Sequence, residues 1–190
     1  MSASFSVPFA EAAHHLETFR ADPTVLSTLD TLADWLYTTF QSGNKALACG
    51  NGGSMADAMH FAEEWTGRFR NDRDPYPALA LSDPTHMSCV GNDYGFDHIF
   101  ERGVRAFGKP GDILFLLSTS GNSNNLVLAA ETAKNMGVKT VGFLGRGGGK
   151  LLPFCDLVVM APGETSDRIQ ELHMLALHVL IEVVEERLRA

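Results

Sequence analysis

Between Phe9 and Phe19 the apolar residues Phe9, Ala12, Ala13, Leu16 and Phe19 recur at helical spacing, and Asp22-Pro23 brings the predicted helix to an end. A second helix is expected from near Thr24, with Leu29, Leu32, Ala33, Leu36, Tyr37 and Phe40 on one face and Gly43 suited to its C-terminal end. An apolar face of that width must pack on something. Once other helices cover the core, the remaining partner is another subunit, so oligomer contacts are expected from residues 1–43.

After Gly43 the pattern changes to short apolar runs: Lys45 to Cys49, Ala78 to Leu81, Ile113 to Leu117, Lys139 to Leu144 and Leu157 to Met160. These read as five buried strands. Helical stretches near 54–66, 97–107 and 122–136 alternate with them, which leaves room for right-handed crossovers and a parallel sheet. The expected fold is α/β, a three-layer sandwich in which helices flank a five-stranded parallel sheet. One domain spans 1–190, with 1–43 as the leading helical segment and 44–190 as the α/β core and last helix. That last helix, Ser166 to Arg189, is expected to turn Ile169, Leu172, Leu175, Ala176, Val179, Leu180 and Val183 inward.

At 45% hydrophobic and 20% charged residues, the chain has the composition of a packed globular protein. Its 15 Lys and Arg against 23 Asp and Glu give a net charge of −8, a field that repels nucleic acid and anionic membrane. The one visible cationic cluster, Arg68, Arg70 and Arg73, is interrupted by Asp72 and Asp74. Cys49, Cys89 and Cys155 are odd in number and far apart, which suits a reduced cytoplasm better than a disulfide framework or a thiolate zinc site. The first residues show neither a basic segment nor a continuous apolar run, and nowhere do about 18 apolar residues follow one another. A cytoplasmic protein without membrane or nucleic-acid partners is expected.

Ligands of such sheets bind beyond the carboxyl ends of the strands. The first strand runs into Gly50-Asn51-Gly52-Gly53-Ser54, whose glycines allow close backbone approach before a helix N-terminus. A tight turn without a ligand would use the same glycines. It is no dinucleotide fingerprint, because Met55 stands where the third Gly or Ala belongs, so no nucleotide cofactor is expected. The third strand runs into Ser118-Thr119-Ser120-Gly121-Asn122-Ser123, where hydroxyls and free amides can hold a phosphate. Helix capping accounts for one of the hydroxyls there but not for four within six residues. Gly147-Gly148-Gly149-Lys150 fails as a P-loop at Leu144 and Leu151 and reads as a flexible loop.

Asp57, His60 and Glu64, spaced i, i+3 and i+7, share one helical face, while Ala58, Ala62 and Trp65 take the other. His60 and Glu64 can ligate a metal, transfer protons, or serve as solvated polar residues. On the last helix Gln170 and His178 are eight residues apart, about 12 Å along the axis and about 80° around it. His173 and His178 are the histidines available there. The apolar neighbours of His178 either lower its pKa or mark a hydrogen-bonded core histidine.

Taken together, Cys49-Gly-Asn-Gly-Gly-Ser54, Met59-His-Phe-Ala-Glu-Glu64, Gly91-Asn-Asp-Tyr-Gly95, Ser118-Thr-Ser-Gly-Asn-Ser123 and Asp167-Arg-Ile-Gln-Glu-Leu-His173 resemble the phosphoheptose isomerases. These are sugar isomerase (SIS) domain proteins with a flavodoxin-like sandwich, and the resemblance covers nearly the whole chain. It implies conversion of sedoheptulose 7-phosphate to glycero-manno-heptose 7-phosphate, the first step toward the nucleotide-activated heptose of bacterial surface polysaccharide. It places substrate contacts at Asn51, Gly52, Gly53, Asn92, Asp93, Ser118, Thr119, Ser120, Ser123 and Gln170, and the acid and base at Glu64 and His178. It also implies zinc held by His60, Glu64, Gln170 and His178, and a homotetramer with active sites at subunit contacts. Ketose-to-aldose isomerisation through an enediol needs such an acid and base on chemical grounds alone. Alternative readings are a noncatalytic SIS protein that binds the bacterial replication initiator, a sugar-phosphate sensing domain, or an isomerase of another phosphosugar. The first of these resembles the chain less, because Glu63, Glu64 and His178 are present.

Overall fold

The residue pair that ends the first helix also starts the second. Asp22 closes α1 (Ser6–Ala21), its side chain accepts the N–H of Thr24 at 2.8 Å, and Pro23 opens α2 (Pro23–Gln41). The computed structural model describes residues 4–189. The remaining elements follow as β1 (Ala46–Gly50), α3 (Gly53–Thr66), β2 (Ala78–Ala80), α4 (Pro84–Asp93) and α5 (Ile99–Phe107). After them come β3 (Ile113–Ser118), α6 (Asn124–Asn135), β4 (Lys139–Leu144), β5 (Leu157–Met160) and α7 (Ser166–Arg189).

All five strands are parallel, in the order β2-β1-β3-β4-β5, with Ala46 level with both Ala78 and Ile113. Strand side chains alternate between faces. Ala46, Ala48, Ile113, Phe115, Leu117 and Val141 meet residues of α1, α2, α3 and α7 on one side. Leu47, Cys49, Leu114 and Leu116 meet residues of α4, α5 and α6 on the other. The three-layer α/β sandwich expected from the sequence is the one observed. Among the described residues no helix is long and apolar enough to cross a membrane.

Among the helices, the structure departs from the sequence reading in two respects. α4 was not expected, because only Val90 of its ten residues is buried and no apolar stripe marks it. Its signal lay in the cap, where Asp83 accepts from His86 N at 2.7 Å and Pro84 follows. The second departure concerns which apolar residues face inward: Leu175 (39% exposed), Val179 (45%) and Phe9 (74%) do not. α7 buries the stripe Ile169, Leu172, His173, Ala176, Leu177, Leu180, Ile181 and Val184. Leu175 and Val179 each stand one residue from that stripe, about 100° further round the helix.

The start of the sheet is held by a buried carboxylate. Asp112, just before β3, accepts hydrogen bonds from Lys45 N (2.9 Å), Asn44 Nδ2 (3.1 Å), Lys109 N (2.8 Å) and Lys45 Nζ (2.5 Å). Burial alone would raise its pKa, but the Lys45 ammonium and these donors outweigh burial and lower it. A carboxyl whose pKa is lower in the folded chain stabilises fully above the unfolded value of about 4, and this contribution is lost as pH falls through the folded value. Asp112→Asn is therefore expected to cost about 2–4 kcal/mol at pH 7. The gap to the parent should narrow below pH of about 4. Urea midpoints between pH 7 and pH 3 measure this, and a gap constant over that range would contradict the ion-pair account.

Candidate active site

From β1 the chain passes outward to β2 and then returns to β3 on the other side of β1, so the crossovers leaving β1 and β3 diverge. α3 packs on one face of the sheet and α6 on the other, which opens a crevice beyond the carboxyl ends of β1 and β3. Both loops singled out in the sequence end there. Asn51 and Asn125 join them through two reciprocal amide hydrogen bonds of 3.0 and 2.9 Å. Gly52, with φ +57° and ψ −123°, makes the turn into α3 in a region that side-chain-bearing residues rarely enter.

The second loop is braced from behind. A Cβ on Gly121 would stand 1.8 Å from the carbonyl oxygen of Gly148, so that crossing of two backbones admits only glycine. Leu151 N donates to Gly121 O (2.9 Å) and Lys150 N to Asn122 Oδ1 (3.2 Å), and residues Gly149–Phe154 form a 3-10 helix. The Gly147–Lys150 run, expected to be a flexible loop, leads into this 3-10 helix; of its four residues only Gly148 is buried, and it meets the serine loop through Gly148 and Lys150.

Between the two loops lies a cavity of about 160 Å³ lined by Asn51, Ser54, Ser118, Thr119, Ser120, Ser123, Ser166 and Gln170. Pockets for whole drug-sized ligands start near 300 Å³, so this one suits the charged end of a ligand. The four loop hydroxyls are not equivalent. Ser118 accepts from Gly121 N (3.0 Å) and Ser120 from Asn122 N (3.3 Å), which stabilises the loop's own turns. Ser123 stands at the N-cap of α6 without capping it through its side chain, beside the free amides of the first turn. Thr119 is held by Arg146, whose Nε donates to its carbonyl (3.1 Å) and whose Nη2 reaches its hydroxyl (3.0 Å) and that of Ser166 (3.2 Å). Ser54, Ser166 and Arg146 were missed in the sequence. Arg146 follows β4 in a post-strand loop, which was the available signal. Gln170 lines this cavity and donates to Ser54 Oγ at 3.2 Å. Asn92 and Asp93 do not line it. They end α4 on the exposed surface, bonded to each other at 2.7 Å.

Further along α3 and α7 the chain brings together His60, Glu64 and His178. Glu64 Oε1 lies 3.1 Å from His60 Nε2 and 3.8 Å from His178 Nε2. The His60 and His178 rings meet edge to face at 5.0 Å, and Phe69 stacks on His178 at 5.8 Å. Burial lowers the pKa of His178, the nearby His60 lowers it further, and Glu64 opposes both. Asp57, one turn before His60, is pushed up to about 6 by burial, and its Oδ2 has no hydrogen-bond partner among the described residues. His173 is the core histidine of the pair on α7, fully buried with Nε2 3.2 Å from Leu144 O and its pKa lowered by burial to about 4.

A carboxylate and a largely neutral imidazole at this separation can relay protons on and off one substrate. The same three donor atoms lie within 4.8 Å of one another. A tetrahedral metal with bonds of about 2.1 Å spaces its ligand atoms about 3.4 Å apart, so the group also fits a divalent cation with N and O ligands.

The SIS domain family model matches residues 9–145. Phosphoheptose isomerase of Fusobacterium nucleatum is 54% identical over 82% of this chain and 80% of its own length. That of Vibrio cholerae is 46% identical over 94% of both chains. The chain belongs to the phosphoheptose isomerase family. The solved structure of phosphoheptose isomerase from Neisseria gonorrhoeae superposes with a TM-score of 0.89 at 35% identity, covering 95% of this chain and 96% of that one. As a member of the phosphoheptose isomerases, the chain is a phosphosugar isomerase.

In chelator-treated protein, the His178 ring is expected to titrate below the ordinary imidazole value of about 6.5. Glu64→Gln should lower its midpoint further, since the carboxylate that favours imidazolium is removed, and His60→Ala should raise it by removing a like charge. Nitrogen-15 NMR titration of the histidine rings reads both shifts, and a midpoint that neither substitution moves would contradict the coupling.

Proposed function

We propose that the chain interconverts sedoheptulose 7-phosphate and D-glycero-D-manno-heptose 7-phosphate, the first step toward a nucleotide-activated heptose. The observation that carries this reading is the Glu64–His178 pair at 3.8 Å, set beyond a cavity of hydroxyls and helix amides. The cavity lies near the starts of α3 and α7, and His178 is eight residues beyond Gln170, about 12 Å of helix. Such a separation calls for a phosphate remote from the reacting carbons, as a phosphate on C7 is from C1 and C2. Membership of the isomerase family favours this reading over the noncatalytic initiator-binding relative.

In the proposed mechanism the loop amides, Ser123, the Thr119 loop and Arg146 bind the phosphate, and Asn51, Gly52, Gly53 and Gln170 line the path of the sugar. His178 assists ring opening and moves the proton between O1 and O2. Glu64 takes the proton from C1 and returns it to C2 through the enediol. We assign His60, Glu64 and His178 to zinc; to act as the fourth ligand Gln170 would have to give up its bond to Ser54 Oγ and lean toward His178, and when bound the ion would polarise the sugar oxygens as a Lewis acid. Phe5 at the N-cap of α1, Phe9 on α1, and Leu175 and Val179 on α7 are exposed, which supports a homotetramer whose subunit contacts complete the site. Asn92 and Asp93, which are exposed and do not line their own chain's cavity, would then serve a neighbouring copy. Three free cysteines suit the cytoplasm.

An NMR time course with sedoheptulose 7-phosphate, with and without chelator, tests sugar, reaction and metal together. Glu64→Gln is expected to bind substrate normally and lose on the order of 10²- to 10⁴-fold in turnover. Turnover within a few-fold of the parent would remove Glu64 from its role as base.

A further inference from the structure

Arg73 belongs to the cationic cluster that the sequence left without a role, and it is buried, with its side chain 8% exposed. It lies on the connection between α3 and β2, its guanidinium carbon 5.6 Å from the Trp65 ring and 5.2 Å from that of Tyr76. Nη2 donates to the carbonyl of Glu64 at 2.7 Å, and Nη1 to those of Trp65 (2.8 Å) and Asp74 (3.2 Å). Nε donates to Glu185 Oε1 at 2.5 Å. The carbonyls of Glu64 and Trp65 belong to the last turn of α3, where no intrahelical donor remains and where a cation also opposes the helix dipole.

Glu185 is 3% exposed and stands seven residues, two turns, beyond His178 on the same face of α7. Its Oε2 accepts from Arg189 Nη2 at 2.9 Å. The connection that carries Arg73 touches α7 twice more: Phe69 stacks on His178, and Arg70 pairs with Glu182, four residues after it. A strap of chain thus binds the helix that bears Glu64 to the helix that bears His178.

We propose that Arg73 and Glu185 are positioning residues of the isomerase. Arg73 grips the backbone of Glu64 and Glu185 anchors that grip to α7, so that the pair fixes the separation between the Glu64 carboxylate and the His178 imidazole. This rests on the reading of Glu64 and His178 as base and acid. A buried ion pair adds little net stability over an apolar pair of similar volume, whereas its directed bonds fix geometry. Four directed N–H bonds require the planar fork of arginine, which a lysine point charge cannot reproduce.

The test is the double substitution Arg73→Met with Glu185→Leu, which removes both charges of the buried pair together and leaves the half-exposed Arg189 and the carbonyls of Glu64 and Asp74 without these partners. The expected protein folds with a lowered melting point and keeps its KM for sedoheptulose 7-phosphate within about twofold, because the phosphate cavity is at the other end of the helices. Its kcat should fall about 10- to 100-fold, and its crystal structure should show the Glu64–His178 separation lengthened by about 1 Å. A folded double variant with parental kcat and an unchanged separation overturns the proposal. Should that variant not fold, Arg73→Lys keeps one charge and is expected to lower kcat at least threefold at unchanged KM, with a parental kcat again overturning it. If the parent itself does not turn over sedoheptulose 7-phosphate, the substrate reading fails, and the measured separation alone decides the positioning role.

Discussion

Two carboxamides bind the halves of the crevice together. Because the crossovers from β1 and β3 leave on opposite faces, nothing in the sheet fixes the start of α3 against the start of α6. The reciprocal Asn51–Asn125 pair does so, and it is two-sided by necessity. Asn125 is buried, and a buried amide without its partner costs about 1–3 kcal/mol. With both loop ends locked, the serine loop and the two ends of the glycine turn, Asn51 and Ser54, border one cavity. The positions of His60 and Glu64 then follow from the rigidity of α3, whose first turn is already set.

β1 and β3 were legible because each is a short apolar run buried on both faces, and β4 is buried but for Lys139. β4 and β5 fall within the bounds the sequence suggested, whereas β2, with Leu79 exposed, was marked by its short apolar run alone. α7 was legible from its long periodic face. α4 was not, since its helix is stabilised by a cap and a proline rather than by an apolar stripe. The same limit applies within the site. His173 and His178 are equally plausible from spacing, and the difference between them is set by β4, whose Leu144 carbonyl receives only the first. Residue types and helix spacing made His178 a candidate, and the family resemblance gave it a role. The glycines at 147–149 misled because a glycine run suggests mobility. All three adopt positive φ, and a Cβ on Gly149 would stand 2.5 Å from the carbonyl oxygen of Ser120, 29 residues upstream, a contact invisible in local sequence.

The negative net charge makes the placement of cations informative. Lys45, Arg70, Arg73 and Arg187 are committed to Asp112, Glu182, Glu185 and Asp34. The arginine cluster that might have suggested a nucleic-acid surface is therefore turned largely toward α7. Among the described residues no lysine lines the serine cavity, so a phosphate there would be held mainly by backbone amides and hydroxyls, with Arg146 bracing the loop through Thr119. Oriented dipoles of this kind hold a charged group without flooding the site with positive charge.

The open side of the proposed acid–base pair makes a further demand. His60 is exposed, His178 is partly so, and the neighbouring Met59, Leu175 and Val179 present apolar surface to water. An enediol is reactive, and water in contact with it exchanges its proton and weakens every electrostatic contact made to it. Those three side chains do little for the fold of one chain, since the core of α7 lies on its other face. Covering them would both bury apolar area and dry the reacting carbons. The proposed tetramer thus answers a chemical requirement as well as a hydrophobic one, and it accounts for Asn92 and Asp93 standing at the exposed end of α4 rather than in their own chain's crevice.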